Sequence, residues 1–243
     1  MAVAFRSASC NNSTTYTVTI TKPTNTAEND ILIAIIYAVR ETSTPTLSPP
    51  DGNWTSIALI DYNTTRRWEC WWKRAGASEG SDYTFQQQQG STTYSMKGNI
   101  GAYSGCITTE SPIDQYSNTQ DAGTSELTTT ATSITPTVAP SLAVFTACGS
   151  INLTGCTIDN SFNEDYEATA ANDVLNYLAS KSLASTSAVG DTTATSTGTA
   201  STNKNAFLLN LKPASTGVIP IVISSQVMNG MLTSSPMSTK IIL

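Results

Sequence analysis

Histidine does not occur in this chain of 243 residues. Its absence excludes Ser-His-Asp and Cys-His catalysis, imidazole proton shuttles and His-ligated zinc. Charge is scarce too: Asp, Glu, Lys and Arg make up 12% of the residues, half the ~25% usual in globular proteins. The 12 Lys and Arg are scattered among 18 Asp and Glu, for a net charge of −6. Neutralising phosphates needs clustered cations, so no nucleic-acid partner is expected. Attachment to an anionic membrane surface is disfavoured for the same reason. No apolar run approaches transmembrane length. The opening stretch MAVAFRSASCNNS lacks the charged start and long apolar centre of a signal peptide.

Cofactor fingerprints are missing as well. There is no C-x-x-C pair, P-loop, G-x-G-x-x-G after a strand or G-x-S-x-G, and no cofactor is expected. The five cysteines are odd in number, unlike the even, dense set of a disulfide scaffold. Cys148 and Cys156 could bridge across a loop, but small buried thiols are the favoured reading. That reading fits assembly in a reducing cytoplasm.

What is abundant is Thr, Ser, Asn and Ala. Thr is β-branched and suits pleated, half-buried positions, so composition alone points to an all-β fold. The stretch TYTVTITKP alternates, with Tyr16, Val18 and Ile20 on one face, as in a half-buried strand ended by Pro23. Ile31 to Val39 is almost continuously apolar, as in a strand covered on both faces. WTSIALIDY alternates, with Trp54, Ser56, Ala58 and Ile60 opposite Thr55, Ile57 and Leu59. Further strands are expected in RRWECWWKRA, DYTFQQQ, TTYSMKGNIGAYSG and NKNAFLLNLKP, and two around Pro136 and Pro140. VLNYLASKSLAS permits a short helix or a strand. Ser180 to Thr202 reads as two Thr-rich strands joined by VGDTTATSTG. About ten short strands between turn signals, with no fixed-period repeat in view, predict an antiparallel sandwich or barrel.

RRWECWWKR packs three of the chain's four tryptophans into nine residues. In a strand, Trp68, Cys70 and Trp72 share a core face, and Arg67, Glu69, Trp71 and Lys73 share a solvent face. Cross-strand pairs of opposite charge suit that second face. Trp71 is the anomaly on it. It packs on its own subunit, contacts a neighbouring subunit, or offers a stacking platform to a sugar.

Two acidic groupings come into consideration. Asp159 to Glu167 gathers carboxylates and amides that could hold Ca²⁺, but the spacing fits no EF-hand, and a polar loop is the favoured reading. A glycosidase pair there, or between Glu110 and Asp114, would need two carboxylates facing across a cleft. No such cleft is evident, and no enzymatic activity is expected.

Residues 214–243 stand apart. They carry one charged side chain, Lys240, and apolar clusters containing Val218, Ile219, Ile221, Ile223, Met228, Met231, Leu232, Ile241, Ile242 and Leu243. The segment is too short to fold alone and too apolar for a solvated tail, so it is expected to lie on another surface.

Four stretches in order, ENDILIAIIYAV, PPDGNWTSI, WWKRAGASEGSDYTF and IGAYSGCITTESPID, resemble a β-sandwich module of bacteriophage virion proteins. The match is carried by Asn29-Asp30, Pro49 to Trp54, Lys73 to Phe85 and Ala102 to Asp114, within residues 15–213. Asn29 stands where that family usually has Gly. The resemblance implies a jelly-roll-like β-sandwich over residues 1–213 with an extended C-terminal tail over 214–243, and a place in the virion. It implies a non-enzymatic protein that decorates or cements the capsid exterior. Its partners would be the major capsid protein or neighbouring virion subunits. A homo-oligomer is expected, with a trimer as the form that suits local threefold points. The alternative is a receptor- or carbohydrate-binding module of a tail fibre or baseplate, and a glycan-cleaving sandwich is a third reading.

Overall fold

Alternating threonines build the outer layers of this protein, and continuous apolar runs build the inner ones. A computed structural model describes residues 2–90, 94–122, 127–149, 153–170, 174–198 and 203–214. Within them the chain is all-β, with antiparallel sheets packed as a sandwich.

The first eight strands are β1 (Ala4–Ser13), β2 (Thr17–Thr21), β3 (Ile31–Arg40), β4 (Leu47–Ser48), β5 (Thr55–Tyr62), β6 (Arg66–Arg74), β7 (Asp82–Gln87) and β8 (Tyr94–Ser104). They form a five-stranded sheet in the order β1-β8-β3-β6-β5 and a three-stranded sheet in the order β2-β7-β4. The next eight are β9 (Ile113–Ala122), β10 (Thr128–Ala131), β11 (Ser141–Gly149), β12 (Leu153–Ile158), β13 (Asn163–Ala170), β14 (Val174–Leu183), β15 (Thr192–Gly198) and β16 (Asn203–Leu211). Their sheets run β9-β16-β11-β14-β13 and β10-β15-β12. Adding eight to each strand number of the first half reproduces the second, so the body is two jelly-roll-like halves of one topology. Equivalent strands start roughly 110 residues apart along the whole length, as a tandem repeat would require.

The two five-stranded sheets face each other, and each small sheet caps the far side of its own large one. Four layers result, with a core in each gap. The central core holds Ile31, Ile33, Ile35, Tyr37 and Trp68 against Leu142, Val144, Phe207, Leu209 and Leu211. The first outer core places Leu32, Ala34, Ile36 and Trp71 against Val18, Ile20 and Phe85. The second places Phe145, Tyr177 and Leu208 against Ala131, Ile134 and Ala194. Strand β3 lies between two cores, which is why it is apolar at successive positions on both faces. Each Ile buried there contributes ~1.5–3 kcal/mol relative to an exposed one.

The halves meet through β3 with β11, β1 with β13, and β5 with β9. Exchanging the halves exchanges the last two pairs and leaves the first unchanged. That is the pattern of an isologous, twofold-related interface, here built inside one chain.

Several expectations need correction. Sixteen strands occur among the described residues, not about ten, and they fill two sandwiches. β1 and β9 have no clear hydrophobic period and carry no strand signal of their own. A bulge between Ser56 and Ala58 breaks the alternation expected in β5, leaving Leu59 exposed and Ile60 buried. VLNYLASKSLAS is strand, as β14 shows. The join after it falls at residues 184–191, and TTATSTG is itself the next strand, β15. All five cysteines are free. The stretch Ala102 to Asp114 is no single strand: it ends one half and begins the other, turning at Gly105 with φ 75°.

Candidate functional site

Lys73 organises the most polar part of the first half. Strand alternation points it away from the central core, yet its side chain is only 8% exposed. Its ammonium lies 3.0 Å from Asp51 and 2.9 Å from Glu79, and sits over the Tyr83 ring. Glu79 also accepts hydrogen bonds from the Tyr83 hydroxyl (2.8 Å) and the Gly76 amide (2.7 Å). Burial alone would raise the Glu79 carboxyl, but the Gly76 amide, Lys73 and Tyr83 outweigh it and hold it below the ordinary value. Burial opposes the charge on Lys73 as well, and its two carboxylate partners reverse that and raise it. Beside this cluster, Trp54 packs edge-on against Tyr83 and Phe85. Lys73 thus ties the β4–β5 loop, the β6–β7 loop and the small sheet to β6.

These groups line one side of an open cleft of about 740 Å³, with Asn53, Trp72, Arg74 and Asp82 among its other walls. Trp72, half-buried on the opposite face of β6, also lines a second cavity of about 240 Å³. That cavity lies on the seam between the halves, where β5 meets β9, and Ser56, Ser111 and Tyr116 are among its walls. Tyr116 is 51% exposed. Arg74 donates from Nη2 to the carbonyls of Ile107 (2.6 Å) and Glu110 (3.3 Å). Its Nη1 is buried without a partner among the described residues, and burial lowers its guanidinium.

The same end of the molecule holds the last described residues. Ile107 donates to the Lys212 carbonyl at 3.0 Å, Ala214 donates to the Gly105 carbonyl at 2.7 Å, and Lys212 pairs with Glu110 at 3.0 Å. Residues 212–214 are therefore bound to the linker between the halves.

The sequence-level candidates fall in different places. The face of β6 expected to meet solvent is covered by the β2-β7-β4 sheet: Glu69 is 5% exposed, Lys73 6% and Trp71 8%. Trp71 packs within its own subunit in the first outer core and offers no ring face outward. The expected cross-strand charge pair does form, between Arg67 and Asp61 at 2.7 Å. Burial raises the Glu69 carboxyl, and Ser56 donates to it at 2.7 Å. Val218, Ile219, Ile221, Ile223, Met228, Met231, Leu232, Ile241, Ile242 and Leu243 lie outside the described residues.

The acidic run from Asp159 to Glu167 is half turn and half strand. Asp159 accepts from the Thr193 amide at 2.8 Å and Glu167 from the Cys156 amide at 3.0 Å, so each carboxylate serves a different strand. Among the described residues, no group of three His, Cys, Asp or Glu side chains is placed to hold a metal. Glu110 is taken by Lys212, and Asp114 by the backbone amide and hydroxyl of Thr137.

Trp72, Tyr116, Asn53 and Arg74 were not singled out by the pattern of the sequence. Trp72 has the spacing of a core residue, and Tyr116 stands alone among polar neighbours. Only the meeting of the two halves brings them to one groove. Comparison with protein-family models, curated proteins and solved structures finds no match for the chain.

Proposed function

We propose that this chain is a non-enzymatic structural protein of a bacteriophage particle, decorating or cementing the capsid exterior. The observation that carries this reading is a body whose strands are complete beside a segment that needs cover. The sixteen strands fill two identical patterns, so neither half waits for a strand from residues 215–243. Those residues carry a single charged side chain, and an apolar segment of that kind is stable only against another surface. In this reading the cover is the major capsid protein or a neighbouring virion subunit. Covering on the order of 400 Å² of apolar surface would supply about 10 kcal/mol before ordering costs. The segment leaves the body at the inter-half linker, so docking there would hold both halves by one end.

The virion setting is supported by the places the resembling motifs occupy. Asn29, standing where Gly is usual, has φ 69°, a left-handed conformation that Gly and Asn adopt more readily than other residues. The next residue, Asp30, is 2% exposed and accepts from the Ala27 amide at 2.7 Å. The proline turn and the hairpin supply Asp51, Trp54, Lys73, Glu79, Tyr83 and Phe85, which meet in one cluster. These motifs brace a sandwich and perform no reaction. A homo-oligomer, with a trimer expected, completes the proposal. Electron cryomicroscopy of the intact particle tests it: four-layered density on the outer capsid face is expected, and its presence only on the tail would overturn the reading.

A further inference from the structure

We propose that the groove shared by the two cavities at Trp72 binds an oligosaccharide of uncharged pyranose units. This goes beyond a capsid-docking role and does not depend on it. Trp72 is a wall of both cavities, so the two form one path from the loop cluster at Asp51 to the inter-half seam. The larger cavity, about 740 Å³, lies in the ~300–1,000 Å³ range of small-molecule sites.

Its chemistry favours a sugar. Across the smaller cavity the half-buried Trp72 is joined by Tyr116, 51% exposed, one of three large hydrophobic side chains exposed among the described residues. Aromatic side chains provide apolar faces for the C–H side of a pyranose while polar groups take its hydroxyls. The polar groups are in place. Asp51 is 40% exposed at its side chain and Asn53 is exposed beside it, giving acceptors and donors for adjacent hydroxyls. Arg74 Nη1 is a buried donor without a partner among the described residues, in the wall of the larger cavity.

The charge balance selects against anionic glycans. Lys73, the other cation in the cleft, is already engaged by Asp51 and Glu79. Asp82 adds a further carboxylate to the wall, and the chain carries a net −6. A sialylated or sulfated chain would meet more negative than positive charge. In our assignment one ring stacks at Trp72 beside Tyr116, and the next reaches the hydroxyl-binding groups around Asp51, Asn53 and Arg74.

The test is a titration of the full chain with neutral oligosaccharides (glucans, galactans, mannans and chitooligosaccharides) and with sialylated and sulfated glycans, read by calorimetry. Saturable binding of one neutral class in the micromolar to millimolar range is expected. Trp72→Ala and Tyr116→Ala should each weaken it by at least about tenfold, or 1.4 kcal/mol. Tyr116 is exposed, so its variant should keep the wild-type melting temperature, which separates lost binding from lost folding. Absence of binding to every neutral class, preference for the anionic glycans, or unchanged affinity in Tyr116→Ala would each overturn the proposal.

Discussion

Trp68 in the first half donates its indole N–H to the backbone carbonyl of Cys148 in the second, at 3.1 Å. The ring is buried and stacks on Tyr37 with centroids 4.4 Å apart. The central tryptophan strand is therefore part of the join between two sandwiches as well as the core of one. Beside it the join includes buried amides: Asn99 donates to Asn176 at 3.5 Å, and Asn205 is fully buried.

Truncating that ring removes a large core side chain and a polar contact together. Trp68→Ala should lose about 3–5 kcal/mol, the range for large aromatic deletions in cores. Denaturant unfolding measures it. A loss under about 1 kcal/mol would mean that the central layer is loosely packed.

The same geometry predicts how the first half behaves alone. Residues 1–111 would expose Ile31, Ile33, Ile35, Tyr37 and Trp68, all at most 1% accessible in the full chain. An apolar face of that kind seeks cover, so the fragment should self-associate. Sedimentation showing a soluble, cooperatively folding monomer would contradict the central core as described.

How much of this was legible in the sequence depended on whether the signal was local. Ile31 to Val39 announced a strand covered on both faces because every position agreed. Glu69 and Lys73 looked like solvent residues because charge usually marks solvent. Their cover comes from a separate sheet, and the partners of Lys73 come from two loops, which strand alternation cannot reveal. The duplication was hidden for a related reason. Topology and spacing repeat, while an Ile- and Trp-rich inner strand pair in one half corresponds to Leu-, Ala- and Phe-rich strands in the other. The groove at Trp72 draws on both halves, so no single stretch displays it.

Lys73 gives a test of the buried charges. Lys73→Met would leave Glu79, 9% exposed at its side chain, without its cation, and should cost about 3 kcal/mol near neutral pH. Glu79 is held below its ordinary 4.5, so its contribution is present above that pH and is lost as pH falls through the lowered value. The stability gap between wild type and variant should therefore narrow in acid. Melting curves at pH 7 and pH 3 check this, and a constant gap would count against the ion pair.

Asp165 runs the other way. Burial pushes its carboxyl from 3.8 up to about 6, against a stabilising hydrogen bond from Ser180. The folded state then holds the proton more tightly than the unfolded state, so this group's contribution falls as pH rises from 3.8 to about 6. Asp165→Asn removes that ionisation. It should raise stability relative to wild type at pH 7.5 and have a smaller benefit at pH 4. Thermal melts at both values check it, and an equal difference at both would mean that the carboxyl ionises without hindrance.

The central claim is that a complete double sandwich is attached to the particle through the apolar segment that follows it. Its most direct test is deletion of residues 215–243, followed by counting copies of the protein per purified particle by quantitative mass spectrometry. The account predicts a shortened protein that folds with the wild-type β-sheet spectrum and is absent from particles. Incorporation at the wild-type copy number would contradict it.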